Sequence, residues 1–138
     1  MVKGEGVIKG GKTITKKFKT KRLYDNEKMI YQKKLSYVAK MISFDDKKKE
    51  IVLKNECCFT YNKLPKKDKP QYHKKIKEAY RKLKKDTGFY HWDFHGGNII
   101  ITPTNKIKLI DFAMIGKNKK KKLAKHEQLF YDEIGLLS

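Results

Sequence analysis

The chain has 138 residues, with 35 Lys and Arg against 15 Asp and Glu, so that its formal net charge is +20. The length suits a single domain, which usually takes about 100–200 residues, and no apolar run approaches the roughly 18 residues of a membrane-spanning helix, so no membrane partner is expected. The charge would attract polyanions such as nucleic acid, or would simply keep a lysine-rich surface soluble.

The two cysteines are adjacent, at Cys57 and Cys58. Neighbouring cysteines cannot build a disulfide framework or the spaced pairs of a structural zinc site. The first residues also lack the apolar segment of a secretory signal. We therefore expect a reducing compartment, the cytoplasm of a cell or of an infected host cell, while the oligomeric state stays open.

A β-hairpin is predicted at the start of the chain, because glycine tolerates the positive φ of tight hairpin turns. Its two strands and its turn are residues 7–9, residues 12–18 and Gly10-Gly11. In the second strand Ile14, Lys16 and Phe18 share one face by the period-two rule. A lysine on an apolar face is costly to bury without an anionic partner. Lys16 is therefore predicted to meet one, or Lys17 if the register differs by one.

One helix and a second hairpin are predicted next. Asp25-Asn26 can cap a helix that runs toward Leu35, since Asp and Asn are good N-caps. Glu27 would then lie in the first turn, where the helix dipole also favours an exposed acidic residue. The predicted hairpin consists of residues 38–44, the turn Asp45-Asp46 and residues 49–53.

Two further helices are predicted in the second half of the chain. From residue 71 to residue 86 apolar side chains recur at helical spacing, and Gly88 ends the pattern. The polar positions of this helix are mostly basic and would form its outer face. A short helix is predicted at residues 126–137, after a lysine-rich run at residues 117–122.

The most specific pattern lies between these two helices. It reads His91-Trp92-Asp93-Phe94-His95-Gly96-Gly97-Asn98, and Asp111-Phe112 follows it. Residues 99–102 and 106–110 are predicted as strands joined by the turn Pro103-Thr104-Asn105.

A hairpin of this kind brings its two outer ends together. Asn98 and Asp111 would then lie side by side as oxygen ligands suited to Mg²⁺. Asp93 would lie on the loop that enters the hairpin. An alternative is a site for Zn²⁺ or Mn²⁺ made by His91, Asp93 and His95 for phosphoester hydrolysis, but it leaves Asn98 and Asp111 unexplained.

His91-x-Asp93-x-His95-x-x-Asn98 with Ile110-Asp111-Phe112 resembles the catalytic and metal-binding loops of the protein-kinase-like superfamily. The second histidine is similar to that of aminoglycoside kinases, choline kinases and some compact viral kinases. The resemblance implies one α+β domain over residues 1–138, a two-lobed kinase-like fold in miniature. Its N-lobe would be a small antiparallel sheet plus one helix (1–55), followed by a hinge (56–62). A reduced, mainly helical C-lobe (63–138) would carry the catalytic β-hairpin.

The resemblance also implies ATP and Mg²⁺ as cofactors and assigns roles to single residues. Asp93 and His95 would act on the acceptor hydroxyl and the phosphate, with Asn98 counted among the catalytic residues. Asn98 and Asp111 would hold the metal. The nucleotide would be bound by Lys16, steadied by Glu27, by the glycine-loop remnant Gly4 and Gly6, and by Ile14, Glu56 and Cys57 around the base.

The resemblance implies phosphoryl transfer, most simply by a minimal Ser/Thr protein kinase whose protein substrate would be acidic and steered by residues 117–125. One alternative is a small-molecule hydroxyl kinase, as the second histidine suggests. Another is a catalytically inactive, basic kinase-like module that binds nucleic acid or a protein partner. The pattern after Asp111 departs from the superfamily, because Ala113 replaces the usual glycine and no activation segment is recognisable.

Overall fold

A computed structural model of the chain describes residues 6–56 and 59–136, and of residues 6–10 it describes only the backbone. Gly4, Cys57 and Cys58 therefore lie outside the described residues. Over the described part the strands form three antiparallel sheets, accompanied by three α-helices. The predicted α+β class is confirmed.

The first sheet has four strands in the order β1-β2-β4-β3. The strands are β1 (Gly6–Gly10), β2 (Thr13–Lys17), β3 (Met41–Asp45) and β4 (Glu50–Lys54). The first predicted hairpin is confirmed, but its turn is Gly11-Lys12 and not Gly10-Gly11, since Gly10 belongs to β1 and pairs with Thr13. Gly11 in that turn has a φ of +48°, which glycine adopts without steric cost. The second hairpin is shorter than predicted, because residues 38–40 precede β3.

Helix α1 (Lys21–Gln32) begins before its predicted start at Asp25. The prediction was wrong because Thr20 is the N-cap, and its side chain accepts a hydrogen bond from Leu23 N at 3.3 Å. Threonine caps helices nearly as well as Asp or Asn. Glu27 consequently lies in the middle of the helix, where it is 0% exposed, and the alternative of an exposed first-turn glutamate is wrong.

The second sheet has the order β5-β7-β8, and the third pairs β6 with β9. These strands are β5 (Phe59–Thr60), β6 (Tyr90–His91), β7 (Ile99–Ile101), β8 (Ile107–Leu109) and β9 (Ile115–Gly116). The predicted β7–β8 hairpin is confirmed, with Asn105 in its turn at a φ of +63°. The sequence did not predict β5, β6 or β9, since two-residue strands carry no periodicity.

Helix α2 (His73–Thr87) contacts β6 and β8, and helix α3 (Lys125–Ile134) packs against α2. The predicted apolar stripe of α2 is confirmed: Ile76, Ala79, Tyr80 and Leu83 are all buried. Gly88 ends α2 in the left-handed conformation, at a φ of +83°. Among the described helices none combines the length and the apolar character that crossing a membrane requires.

The segment between α1 and β3 joins the first sheet to the β7–β8 hairpin. Leu109 N donates to the carbonyl of Tyr37 at 2.8 Å, and Ala39 N donates to the carbonyl of Leu109 at 3.1 Å. Val38 forms an isolated parallel bridge with Leu109. Residues that were predicted as part of β3 therefore extend the second sheet beside β8, and they hold α1 and the hairpin in a fixed relation.

Gly116→Ala is expected to destabilise the protein. Gly116 pairs with Tyr90 between β9 and β6, and a Cβ atom at this position would overlap the Trp92 indole. Displacing a packed ring typically costs about 1–3 kcal/mol. Urea unfolding followed by the fluorescence of Trp92, the only tryptophan, measures this loss. Lys117→Ala, at the exposed next position, is the control, and equal stability of the two variants would contradict the close contact.

Candidate active site

The centre of the site is a buried lysine between two carboxylates. The Lys16 ammonium lies 2.9 Å from both carboxylate oxygens of Glu27, and it contacts Oδ1 of Asp111. Lys16 is 3% exposed. The alternation of β2 turns Lys16 toward α1 and leaves Lys17 exposed, so the structure brings Lys16 and not Lys17 to the site.

Tyr31, a residue that the sequence did not single out, completes this cluster. Its hydroxyl donates to Oε2 of Glu27 at 3.0 Å. Burial, followed by the charges of Glu27 and Asp111, raises the pKa of Tyr31 well above its usual value, so the hydroxyl keeps its proton. The spacing of Glu27 and Tyr31, one helical turn apart on α1, is the signal that could have identified this pair.

The β7–β8 hairpin places Asn98 and Asp111 at the same end, as predicted. Ile110 N donates to the carbonyl of Asn98 at 3.0 Å across the outer end of the hairpin. Asp111 then leaves the strand with a φ of +64°, in the left-handed region that Asp tolerates better than most residues. Phe112 is buried behind it and packs edge-on against Tyr31, with ring centroids 5.5 Å apart.

Asn98 is oriented by the loop that precedes it. Its Nδ2 atom donates to the carbonyl oxygen of Asp93 at 2.8 Å and lies 3.2 Å from the Asp93 carboxylate. Because the amide nitrogen is engaged in this way, Oδ1 is the atom that remains for a cation. Asn98 Oδ1 and the Asp111 carboxylate are the hard oxygen donors that Mg²⁺ prefers.

His91 connects the loop of residues 91–98 to the β7–β8 hairpin through hydrogen bonds. Its Nδ1 accepts a hydrogen bond from Asp93 N at 3.0 Å, so its other ring nitrogen, Nε2, carries the proton and donates to the Ile110 carbonyl at 2.8 Å. Burial lowers the pKa of His91, which keeps the imidazole neutral. Both ring nitrogens face inward and are engaged, so the alternative metal site made of His91, Asp93 and His95 is wrong.

Asp93 and His95 form the accessible part of the site. His95 Nε2 lies 3.4 Å from Oδ1 of Asp93, and the two side chains are 22% and 28% exposed. The hydrogen bond from His95 is the main cause that lowers the pKa of Asp93 to about 2. Asp93 is therefore ionised at neutral pH, and its carboxylate lies against His95.

The stability of the fold is expected to depend on Asp93 at acid pH. Its pKa in the folded state, about 2, lies below the ordinary value of 3.8, so the ionised group stabilises the fold above pH 3.8, and this contribution is lost as the pH falls toward 2. The contribution is on the order of 1–2 kcal/mol after allowance for solvent screening.

Urea unfolding of the wild type and of Asp93→Asn between pH 5 and pH 2 measures it. The wild type should lose more stability over this interval than the variant does. The two proteins have all their other carboxyl groups in common, so a difference between their stability curves comes from residue 93. Parallel curves would show that Asp93 has no stabilising partner.

The lysine-rich run at residues 117–122 contacts the loop of residues 91–98. Lys120 Nζ donates to the Trp92 carbonyl at 3.1 Å and to Glu127 Oε1 at 2.8 Å, and the Trp92 indole N–H donates to the carbonyl of Asn118 at 2.9 Å. Phe94 is fully buried. Trp92 is only half-buried, and its indole holds the lysine-rich run in place through the hydrogen bond to Asn118.

The remaining predicted nucleotide ligands are less informative. Ile14 is half-buried on β2, opposite Leu53 of β4. Glu56 is half-buried after β4, and Gly6 begins β1 opposite Lys17. Gly4 and Cys57 are outside the described residues, so their predicted contacts with the nucleotide stay predictions.

A family model described as the ABC1 atypical kinase-like domain matches residues 59–134, which is more than half of the chain. No curated protein matches the chain. The matched range contains Asp93, Asn98 and Asp111, whereas Lys16 and Glu27 precede it. The match confirms the protein-kinase-like superfamily and the miniature kinase-like fold, and it names neither the aminoglycoside and choline kinases nor a viral kinase.

Proposed function

The chain belongs to the ABC1 atypical kinase-like domain family, and from this premise we propose that it transfers the γ-phosphate of ATP to a hydroxyl group in a reaction that requires Mg²⁺. The acceptor is a serine or threonine hydroxyl of a protein. The observation that carries this proposal is the buried cluster of Lys16, Glu27 and Asp111.

The charge of this cluster supports a role in binding. Removing each charged group from water costs several kcal/mol, and apolar residues of similar volume often give a fold of equal or greater stability. A buried ion cluster is therefore weak support for stability alone, and such clusters are concentrated at functional sites.

Mg²⁺ fits the donors that are present. Asn98 Oδ1 and the Asp111 carboxylate would hold the ion, and the bound ion would neutralise charge on the β- and γ-phosphates. Lys16 would turn from Asp111 toward the α- and β-phosphates, while Glu27 keeps hold of its ammonium.

The transfer step is a displacement at the γ-phosphorus. The acceptor oxygen forms the new O–P bond, the bond from the γ-phosphorus to the bridging oxygen breaks, and ADP leaves with the electron pair. The hydroxyl proton passes to the Asp93 carboxylate. Since the transition state is loose and a carboxyl with a pKa of about 2 is a weak base, Asp93 acts mainly by orienting the hydroxyl.

The surface beside Asp93 supports an acidic protein substrate. Lys120 bonds to the backbone of Trp92, the residue before Asp93, and Lys117, Lys119, Lys121 and Lys122 next to it are exposed. Positive potential at the mouth of a site raises the local concentration of acidic ligands. A small-molecule hydroxyl kinase is the second candidate, because His95, which lies against Asp93, resembles the second histidine of aminoglycoside and choline kinases.

The test is transfer of label from γ-³²P-ATP by the purified chain, with Mg²⁺ or with EDTA. One acidic protein, one basic protein and a mixture of amino alcohols and sugars serve as acceptors. Magnesium-dependent label on the acidic protein is expected, and it should be absent with Asp111→Ala. Phosphoproteomics of cells that express the wild type or Asp111→Ala would then identify the target.

Label on a small molecule without new phosphopeptides would establish the second candidate instead. No transfer to any acceptor, together with DNA or RNA binding that falls steeply with salt, would refute catalysis and favour an inactive basic module. Asp132→Ala, at an exposed position of α3, is the control for an acidic residue outside the site.

A further inference from the structure

A group of metal-ligating side chains lies at the mouth of the site, and its third member comes from α3. One donor atom each from Asp93, His95 and His126 lie within 4.8 Å of one another. The rings of His95 and His126 meet edge to face, with centroids 5.1 Å apart. His126 is exposed and has no role in the transfer chemistry described above.

We infer that Asp93, His95 and His126 bind Zn²⁺, and that the bound ion withdraws the Asp93 carboxylate from the acceptor hydroxyl. Two imidazoles and one carboxylate form a ligand set that zinc accepts in three-ligand sites, with water in the fourth position. Mg²⁺ takes oxygen ligands and would not select the two histidines. Zinc binding is independent of the proposed function, whereas its inhibitory effect rests on it.

The separations in the structure are close to those of a bound site. The pair of His95 Nε2 and Asp93 Oδ1 is already 3.4 Å apart, which is about the spacing of two ligands on one tetrahedral zinc ion with bonds of about 2.0–2.2 Å. His126 is exposed at the start of α3, so its side chain is free to turn toward the other two. The three donor atoms already lie within 4.8 Å of one another, so a turn of the His126 side chain would bring its ring nitrogen to the ion.

Zinc binding exchanges one hydrogen bond of the loop. His95 Nδ1 accepts from Gly97 N at 3.1 Å, and a neutral ring that binds zinc through Nε2 must carry its proton on Nδ1. The hydrogen bond from Gly97 is therefore replaced by the bond to the metal. Gly97 is half-buried, and water can accept from its N–H.

The experiment measures zinc affinity by competition with a chromophoric chelator, in the presence of excess Mg²⁺. Cys57 and Cys58 are replaced by Ser for this measurement, because thiolates also bind zinc. One zinc per chain is expected. His126→Ala and Asp93→Asn should each weaken binding by at least about 10-fold, since even the loss of a residue that only supports a ligand costs about 10- to 100-fold.

Two further variants make the result specific. His126→Cys, which restores a zinc ligand, should keep tight binding, and Gln128→Ala, at an exposed position of the same helix, should bind as the parent does. Absence of zinc binding, or equal affinity of the parent and His126→Ala, would overturn the site.

The effect on activity is read separately, in the chain with its natural cysteines. Zinc should inhibit transfer by the wild type and inhibit His126→Ala at least about 10-fold less strongly, with equal rates for both in the presence of a zinc chelator. Zinc binding without transfer by either protein would leave the metal site standing and refute the proposed function. Transfer that zinc inhibits equally in both proteins would refute the withdrawal of Asp93.

Discussion

Asp93→Asn is expected to lower the rate of phosphoryl transfer by about 10²- to 10⁴-fold, the usual contribution of a positioned acid–base group, with little change in ATP affinity. Among the described residues, the Asp93 carboxylate shares no hydrogen bond with the Lys16 cluster, and it accepts hydrogen bonds from His95 and Asn98. The amide oxygen of the variant can accept one of these two hydrogen bonds, and the side chain is partly exposed, so the fold should persist. What is lost is the negative charge that orients the acceptor hydroxyl.

Single-turnover measurements with γ-³²P-ATP separate this loss from binding, which equilibrium dialysis of ATP measures independently. Asp132→Asn, at an exposed position, is the matched control and should transfer at the wild-type rate. If Asp93→Asn transferred at that rate too, Asp93 would not be the residue that orients the acceptor.

Lys16→Met is expected to reduce the free energy of unfolding by about 3–5 kcal/mol and to abolish detectable ATP binding. The substitution removes the Lys16 ammonium that contacts Glu27 and Asp111, both at least nine-tenths buried. Removing one member of a buried ion pair costs about 3–5 kcal/mol, because the charge of the other member stays uncompensated in the interior.

Urea unfolding, together with ATP titration followed by Trp92 fluorescence, measures the two effects. Lys17→Met is the matched control, because Lys17 is the exposed neighbour on the same strand, and it should change neither quantity by much. Equal behaviour of the two variants would contradict the assignment of Lys16 to the site.

The sequence predicted correctly the features that depend on interactions between residues close together in the chain. The β7–β8 hairpin follows from the alternation of its strands and the turn at residues 103–105, and it alone accounts for the joint position of Asn98 and Asp111. The choice of Lys16 over Lys17 follows from the same alternation in β2. The apolar stripe of α2 and its end at Gly88 were predicted from helical spacing for the same reason.

Other features depend on contacts between distant parts of the chain. The start of α1 was placed too late because three capping residues, Thr20, Asp25 and Asn26, compete, and packing of Glu27 against Lys16 requires the earlier one. Strand β9 pairs with β6, and the whole β7–β8 hairpin lies between them in the sequence. A strand of two residues is too short to show the alternation of apolar and polar positions that predicts a strand. The approach of His126 to His95 follows from the docking of α3, which no local pattern encodes.

The amino-acid sequence by itself determined which side chains can do chemistry here and which local elements carry them, because the periods of strands and helices and the turn residues act over a few neighbours. Only the tertiary structure decided which of these side chains meet. The contact of Lys16 with both Glu27 and Asp111, the inward position of His91 and the three-residue group at Asp93 each join elements far apart in the chain. Such contacts depend on how the sheets and helices pack, and packing is a property of the whole fold.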